Sequence, residues 1–379
     1  MATIAAGHAV HDTYTAFVPP LLPAFIDNLR ISRTEAGLLY VFLQLPSILQ
    51  PVIGHLADRA DLRLLVVAAP AVAGVTMTLL GWAPSYSWLA LLLLVAGLNT
   101  ATLHAIAPVL AGRLSGGSLG RGMGFWMVGG ELGRTLGPLV VVSGIGLLGL
   151  AGLPWLALGG IAASAVLFVK LRPVTLEAEQ LHLRLPWRRA LATMRPVMWP
   201  MAGVLAVRAC VFASLTIYLP TYLTEEGADL WLAGAALSVL EGAGVAGALV
   251  GGWASDRIGR RRVLAIAQAT TPLLLFLFLA TDGWLRFPLL LLLGFTLLAI
   301  GPVILAIVLE SFPASRSFAN GVFLSLSFAI RSMAVVVIGL VGDHLGLEPA
   351  FLGSGVLMLA GLPLLAWLPG RPRGDGSAA

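Results

Sequence analysis

The chain has 379 residues, of which 58% are hydrophobic and 11% charged, with a mean hydropathy of +0.94. A soluble domain carries roughly 25% charged residues, so this composition excludes a water-enclosed globule and leaves lipid as the main solvent. The formal net charge of +5 comes without cations clustered among aromatics, which argues against nucleic acid, and the single cysteine, Cys210, excludes an intramolecular disulfide or a cysteine-based metal cluster.

The first residues, "MATIAAGHAVHDTY", lack a basic leader and a small-residue cleavage site, so they are expected to remain as the first helix. A helix crosses the hydrocarbon core with about twenty residues. Apolar runs of that order occur at 3–26, 36–57, 64–82, 88–111, 122–147 and 153–169, and again at 197–223, 231–254, 263–281, 287–309, 318–341 and 350–368. The expected fold is therefore an all-α integral membrane protein with twelve transmembrane helices in two six-helix pseudo-symmetric bundles, 1–169 and 196–368. Between them lies a polar linker, 170–195, with Lys170, Arg172, Arg184, Arg188, Arg189 and Arg195, and a tail follows at 369–379.

If the termini share a side, the loops there carry Arg59, Arg63, Arg113, Arg121, the linker cations, Arg257, Arg260, Arg261, Arg262, Arg316, Arg371 and Arg373. The opposite loops carry only Arg30, Arg33 and Arg286. The positive-inside rule then places both termini in the cytoplasm and the chain in a cell (inner) membrane as a multi-pass protein. The halves also repeat: Leu22-Pro23 and Leu219-Pro220, Ala36-Gly37 and Ala233-Gly234, Gly124 and Gly321, and Arg134 and Arg331 are each 197 positions apart.

"GHLADRADLR" (Gly54, Asp58, Arg59, Arg63) leaves the second run, and "GWASDRIGRR" (Gly252, Asp256, Arg257, Arg261) leaves the eighth. An aspartate at a helix end accepts from exposed amides and arginines close a charge network around it, so these residues are expected to form a conformational latch; basic anchors facing anionic lipid are the other reading. In the fifth run Gly124, Gly133 and Gly137-Pro138 make either a bendable hinge or a small-residue packing seam.

The loop pattern resembles that of the major facilitator superfamily. The second copy keeps Gly252, Asp256, Arg257, Gly259, Arg260 and Arg261, whereas the first has Asp61 for the glycine and Leu62 for one arginine. The fifth-run glycines are similar to a signature of the superfamily's proton exchangers, with Val141 and Val142 where a final glycine pair stands. "GHAVHD", "LQPVIGHLAD", "LHAIAPVLAGRLSG", "GGELGRTLGPL" and "LESFP" resemble the fosmidomycin-resistance (drug/proton antiporter) group, with Glu131 and Arg134 departing from the small or amide residues expected there. The resemblance implies two halves related by parallel repeat, a substrate cavity lined by spans one, four, five, seven, eight and eleven, and transport by alternating access.

Asp12, Glu131, Arg134, Arg208, Glu241 and Arg331 fall well inside the runs, with His8, His11 and His104. Each charge at bilayer centre costs roughly 2.5–3.5 kcal/mol, so they must pair or line water. Static ion pairs are one reading. In the other, Asp12 with His8, four residues apart on one face, carries a coupling proton, with Glu131 and Glu241 as rivals. Arg208 and Arg331, with Arg134, His104, His11 and Tyr218, then form a substrate site that a guanidinium fork suits to phosphate, phosphonate or carboxylate. Standing alone on span four, His104 reads as a helix contact, not a metal ligand, and no metal is expected. Glu310 reads as a solvated charge near a helix end, and Tyr218 with Tyr222 as a gate or as part of the interfacial aromatic belt.

The expected function is a proton-coupled exporter of a small anionic or amphiphilic compound, monomeric, without a cofactor, with protons, substrate and membrane lipids as partners. Proton-coupled import of an organic anion is the alternative. An intramembrane lipid-processing enzyme ranks below both, because no nucleotide loop or zinc-ligand spacing is present.

Overall fold

The computed structural model describes residues 2–57, 62–114, 119–172, 187–312 and 316–368. No strand occurs among them. In lipid the backbone must satisfy its own polar groups, and continuous helix does so segment by segment. The helices are α1 Ala2–Thr15, α2 Val18–Leu29, α3 Arg33–Gln44, α4 Gln50–Ala57, α5 Arg63–Thr78, α6 Tyr86–Leu114, α7 Leu119–Leu148 and α8 Ala157–Leu171. They continue as α9 Trp187–Ala213, α10 Leu219–Glu225, α11 Leu230–Ile258, α12 Arg260–Leu279, α13 Arg286–Ser311, α14 Arg316–Leu345 and α15 Leu347–Ala360.

Ten helical stretches among the described residues are long and apolar enough to cross a membrane. The first two runs expected from the sequence are instead divided. α1 ends where Phe17 N bonds Tyr14 O at 3.0 Å, and Pro19 and Pro20 then occupy the first turn of α2, where a missing N–H costs nothing. α3 opens on a capping box between Ser32 and Glu35 and gives way to a 3₁₀ turn, Leu45–Leu49, containing Pro46, before α4. A third interruption is the π-helical turn Ser214–Tyr218 between α9 and α10. Pro220 follows it and has no N–H to return to Thr216.

The chain forms two compact units, 1–183 with 216–241, and 184–215 with 242–379. In the first, α1 is the central element, packed against α5, α6, α7 and α8. Its seam with α7 is made by glycines at four-residue spacing: a methyl at Gly129, Gly133 or Gly137 would collide with the carbonyl oxygen of Ala5, Ala9 or Thr13. A hydrophobic cluster of Ile4, Val66, Leu103, Leu110, Trp126 and Leu167 fills the space beside it. Tyr14 pins α8, its hydroxyl donating to Leu156 O and accepting from Gly160 N at 2.9 Å.

In the second unit α9 packs on α14 and α15, and α12 on α13 and α15. Gly247 and Gly251 press the end of α11 onto the backbone of Phe295 and Ala299 in α13. Gln268, fully buried in α12, donates to Met358 O at 3.2 Å in α15.

Candidate functional site

α1 carries His8, His11 and Asp12, which are 4%, 0% and 5% exposed. His104 reaches them from α6, its Nε2 3.3 Å from His8 Nε2 and 3.9 Å from Asp12 Oδ2. His8 Nε2 lies 3.2 Å from the same oxygen, and His11 Nδ1 lies 2.8 Å from Asp12 Oδ1. The opposite nitrogens are committed. His8 Nδ1 donates to Trp126 O at 2.9 Å and His104 Nδ1 to Thr100 O at 2.9 Å, since a carbonyl can only accept. Trp126 stacks on the His8 ring at 3.6 Å, and Gly130 leaves room for it, because a Cβ there would stand 2.6 Å from His8 Cε1. Contrary to its isolation on span four, His104 is therefore part of a cluster. Its partners come from α1, far earlier in the chain.

A second group lies on α7 and α11, in the same unit. Glu131 and Arg134 form the ion pair expected at three-residue spacing. Glu241 faces both electrostatically. The two helices run antiparallel here: Trp231 Nε1 donates to Ser143 Oγ at 3.1 Å and Leu139 N to Ser238 Oγ at 3.2 Å. One further turn brings Glu241 toward Arg134. Arg134 is thus ion-paired with Glu131 and also feels the charges of Glu241 and Asp12.

The second unit holds Arg208 on α9 and Arg331 on α14, their guanidinium carbons 5.6 and 5.8 Å from the centre of the Phe212 ring. Arg208 Nη2 donates to Leu297 O at 3.2 Å, while its Nε is buried with no hydrogen-bond partner among the described residues. Arg331 Nε reaches Ser327 O at 3.4 Å, and the Ser327 hydroxyl is likewise buried without a partner among them. Asp12 and Glu241, the carboxylates that static pairing would assign to these arginines, find partners within the first unit.

Among the expected latch residues, Asp58 and Arg59 lie outside the described residues. Arg63 Nη1 donates at 3.1 Å to Leu171 O and Arg172 O, satisfying carbonyls at the C-terminal end of α8. Asp256 pairs with Arg260 Nη2 at 2.6 Å, and Arg260 Nη2 also pairs with Glu310 Oε1 at 2.7 Å. Glu310 is exposed, as expected of a solvated charge, and is also held in this bridge between α12 and α13. Arg257 stacks over Trp253 at 3.7 Å and Arg261 is exposed. Gly54 and Gly252 make no close approach. The motif glycine that the geometry demands is Gly259, whose φ of 99° turns α11 into α12.

The expected hinge glycines Gly133 and Gly137 are spent on the α1 seam, and Pro138 sits within a continuous α7. Tyr218 and Tyr222 are 0% and 3% exposed, which removes them from a lipid-facing aromatic belt. Tyr218 donates to Arg33 O at 3.1 Å, and Arg33 Nε pairs with Glu225 at 2.8 Å, so this corner closes the first unit. Sequence reasoning missed Trp126, Thr100, Gly130, Phe212 and the Arg260–Glu310 pair. The four-residue glycine spacing was the one visible signal among their surroundings.

Comparison with known proteins agrees with this architecture. The fosmidomycin resistance protein of Escherichia coli (strain K12) is 25% identical over 387 residues, covering 99% of this chain and 94% of that protein. A probable nitrate/nitrite transporter, NarK2, of Mycobacterium tuberculosis (strain H37Rv) is 28% identical over 276 residues, covering 68% of this chain and 67% of its own. The crystal structure of the nucleoside transporter NupG superposes with a TM-score of 0.73 at 16% identity, covering 96% of this chain and 98% of that one. The profile of the Major Facilitator Superfamily matches residues 4–253 and 233–378. With twelve apolar runs, an all-helical fold and that match, the chain belongs to the Major Facilitator Superfamily of membrane transporters.

Proposed function

We propose that the chain is a proton-coupled secondary transporter that works by alternating access and exports a small anionic or amphiphilic compound. The observation that carries the substrate class is the Arg208–Phe212–Arg331 arrangement, with a buried Nε lacking an acceptor among the described residues. A cation inside a membrane span is costly unless it is neutralised, and an anionic group with an apolar body meets both needs, the charge on the guanidiniums and the body against the ring. Ion pairs of this kind are charge-assisted and worth roughly 1.5–3 kcal/mol each.

The coupling proton is assigned to Glu241. Asp12 is surrounded by three imidazoles, whereas Arg134 is already ion-paired with Glu131 and meets Glu241 only through its field, so one added proton on Glu241 neutralises the excess negative charge. Export is supported by likeness to the fosmidomycin resistance protein, and the alternative of organic-anion import by likeness to a probable nitrate/nitrite transporter. The distribution of basic residues supports an inner-membrane protein with both termini in the cytoplasm.

The test is binding of a panel of phosphonates, carboxylates and amphiphilic neutral compounds to the purified protein. Preference for the anions, weakened at least about tenfold by Arg208→Ala and partly rescued by Arg208→Lys, is expected. Equal binding of neutral compounds, unaffected by Arg208→Ala, would contradict the anion assignment.

A further inference from the structure

His8, Asp12 and His104 hold an arrangement that transport of an anion does not explain. Both imidazoles spend their Nδ1 protons on backbone carbonyls, Trp126 O and Thr100 O. In the neutral rings, Nε2 of each is therefore a lone pair, and the two lone pairs face each other at 3.3 Å. Asp12 Oδ2, a third acceptor, stands 3.2 Å from one and 3.9 Å from the other. Three acceptors converge with no donor between them, within a helix bundle where unpaired polar atoms are costly. A proton on one imidazole or a metal ion at their centre removes the conflict, and the spacing and donor set favour the ion.

We propose that His8 Nε2, His104 Nε2 and Asp12 Oδ2 form a binding site for a divalent transition-metal ion of the zinc class, with its fourth position open. The spacing fits. Ligand atoms about 2.0–2.1 Å from a tetrahedral ion lie about 3.3 Å apart, and the three separations are 3.2, 3.3 and 3.9 Å. Two imidazoles and a carboxylate are the donor set of open, borderline-soft sites.

The surroundings are those of a ligand set held from behind. Each histidine is oriented through its other nitrogen by a carbonyl, and the free carboxylate oxygen, Asp12 Oδ1, accepts from His11 Nδ1 at 2.8 Å. Trp126 stacked on His8 and Gly130 behind it fix the ring plane. The side chains of His8 and Asp12 are 4% and 8% exposed, whereas that of His104 is 32% exposed. Access and the fourth position therefore lie on the His104 side. The site uses none of Glu131, Arg134 and Glu241, the residues of the coupling group, although Asp12 acts on Arg134 electrostatically.

The experiment uses the full chain, purified without a histidine tag, titrated with Co²⁺ alone. The expected result is one Co²⁺ per chain, with the visible absorption of low-coordinate cobalt, displaced by Zn²⁺. His104→Ala is expected to lower the affinity at least tenfold. Replacing His55, His182 and His344 together by alanine is expected to leave it unchanged. Because His104→Ala could disturb packing, His104→Cys supplies a second readout: a thiolate in the site adds a sulfur-to-cobalt charge-transfer band absent from the unmodified chain. No stoichiometric Co²⁺ on the unmodified chain, loss of binding in the triple histidine variant, or a His104→Cys protein that takes up Co²⁺ without that band would each overturn the proposal.

Discussion

At the scale of single residues the chemistry is concentrated in three groups whose members come from different helices. Glu241 gains its meaning from Arg134 and Glu131 on α7. If it carries the coupling proton, Glu241→Gln fixes the protonated state, so uphill, proton-driven accumulation is expected to vanish while substrate counterflow without a gradient persists. Accumulation by that variant at the unmodified rate would move the role elsewhere. The sequence made part of each group legible. His8 and Asp12 at four-residue spacing, and Glu131 and Arg134 at three, follow from helical geometry alone. His104 was not legible as their partner, because nothing local links α6 to α1; the contact depends on how closely α1, α6 and α7 approach. For Tyr218 the enclosed ring speaks against the belt alternative alone, because depth in the sequence does not tell an interfacial ring from a buried one.

Elements explain those approaches. The α1–α7 seam is legible as a glycine repeat, yet the sequence could not separate seam from hinge, because both need small residues. The structure shows which of the glycines make the close approach. Gly124 has nothing within 4 Å of the place its Cβ would occupy, whereas a Cβ at Gly133 would strike Ala9 O and stand 2.8 Å from Asp12 Cβ. Gly133→Ala is therefore expected to destabilise the purified protein by about 1–3 kcal/mol, because backbone cannot move aside as a flexible side chain does. Gly124→Ala is expected to leave it unchanged or slightly more stable. Thermal unfolding in detergent reads both, and equal midpoints for the two variants would refute the seam. At the helix ends, Arg260 of α12 bridges Asp256 of α11 and Glu310 of α13. Arg260→Ala removes the cation that bridges Glu310 to Asp256, so a lowered unfolding midpoint, restored in part by the additional change Glu310→Gln, is expected. No restoration would mean that the pair contributes nothing, as many exposed ion pairs do.

For the whole molecule, composition alone demands lipid as solvent, and the twelve runs, the 197-residue repeat and the loop motif point to the superfamily without reference to any contact. Hydropathy sees length and polarity, so it could not show that the first two runs are divided near Phe17 and at Leu45–Leu49, where Pro19, Pro20 and Pro46 decide. Topology is open to a simple check. A reporter fused after Arg189 is expected on the cytoplasmic side and one inserted at Glu226 on the other, and finding both on one side would contradict the assigned orientation. The most direct test of the central claim is made in proteoliposomes holding the unmodified chain, with a labelled anionic compound selected from the binding panel. Uptake is measured with an imposed pH gradient and again after a proton ionophore has collapsed it. The account predicts concentrative uptake of the anion only while the gradient stands, with counterflow retained after collapse. Concentrative uptake that survives the ionophore, or a gradient that drives no uptake of any bound anion, would contradict it.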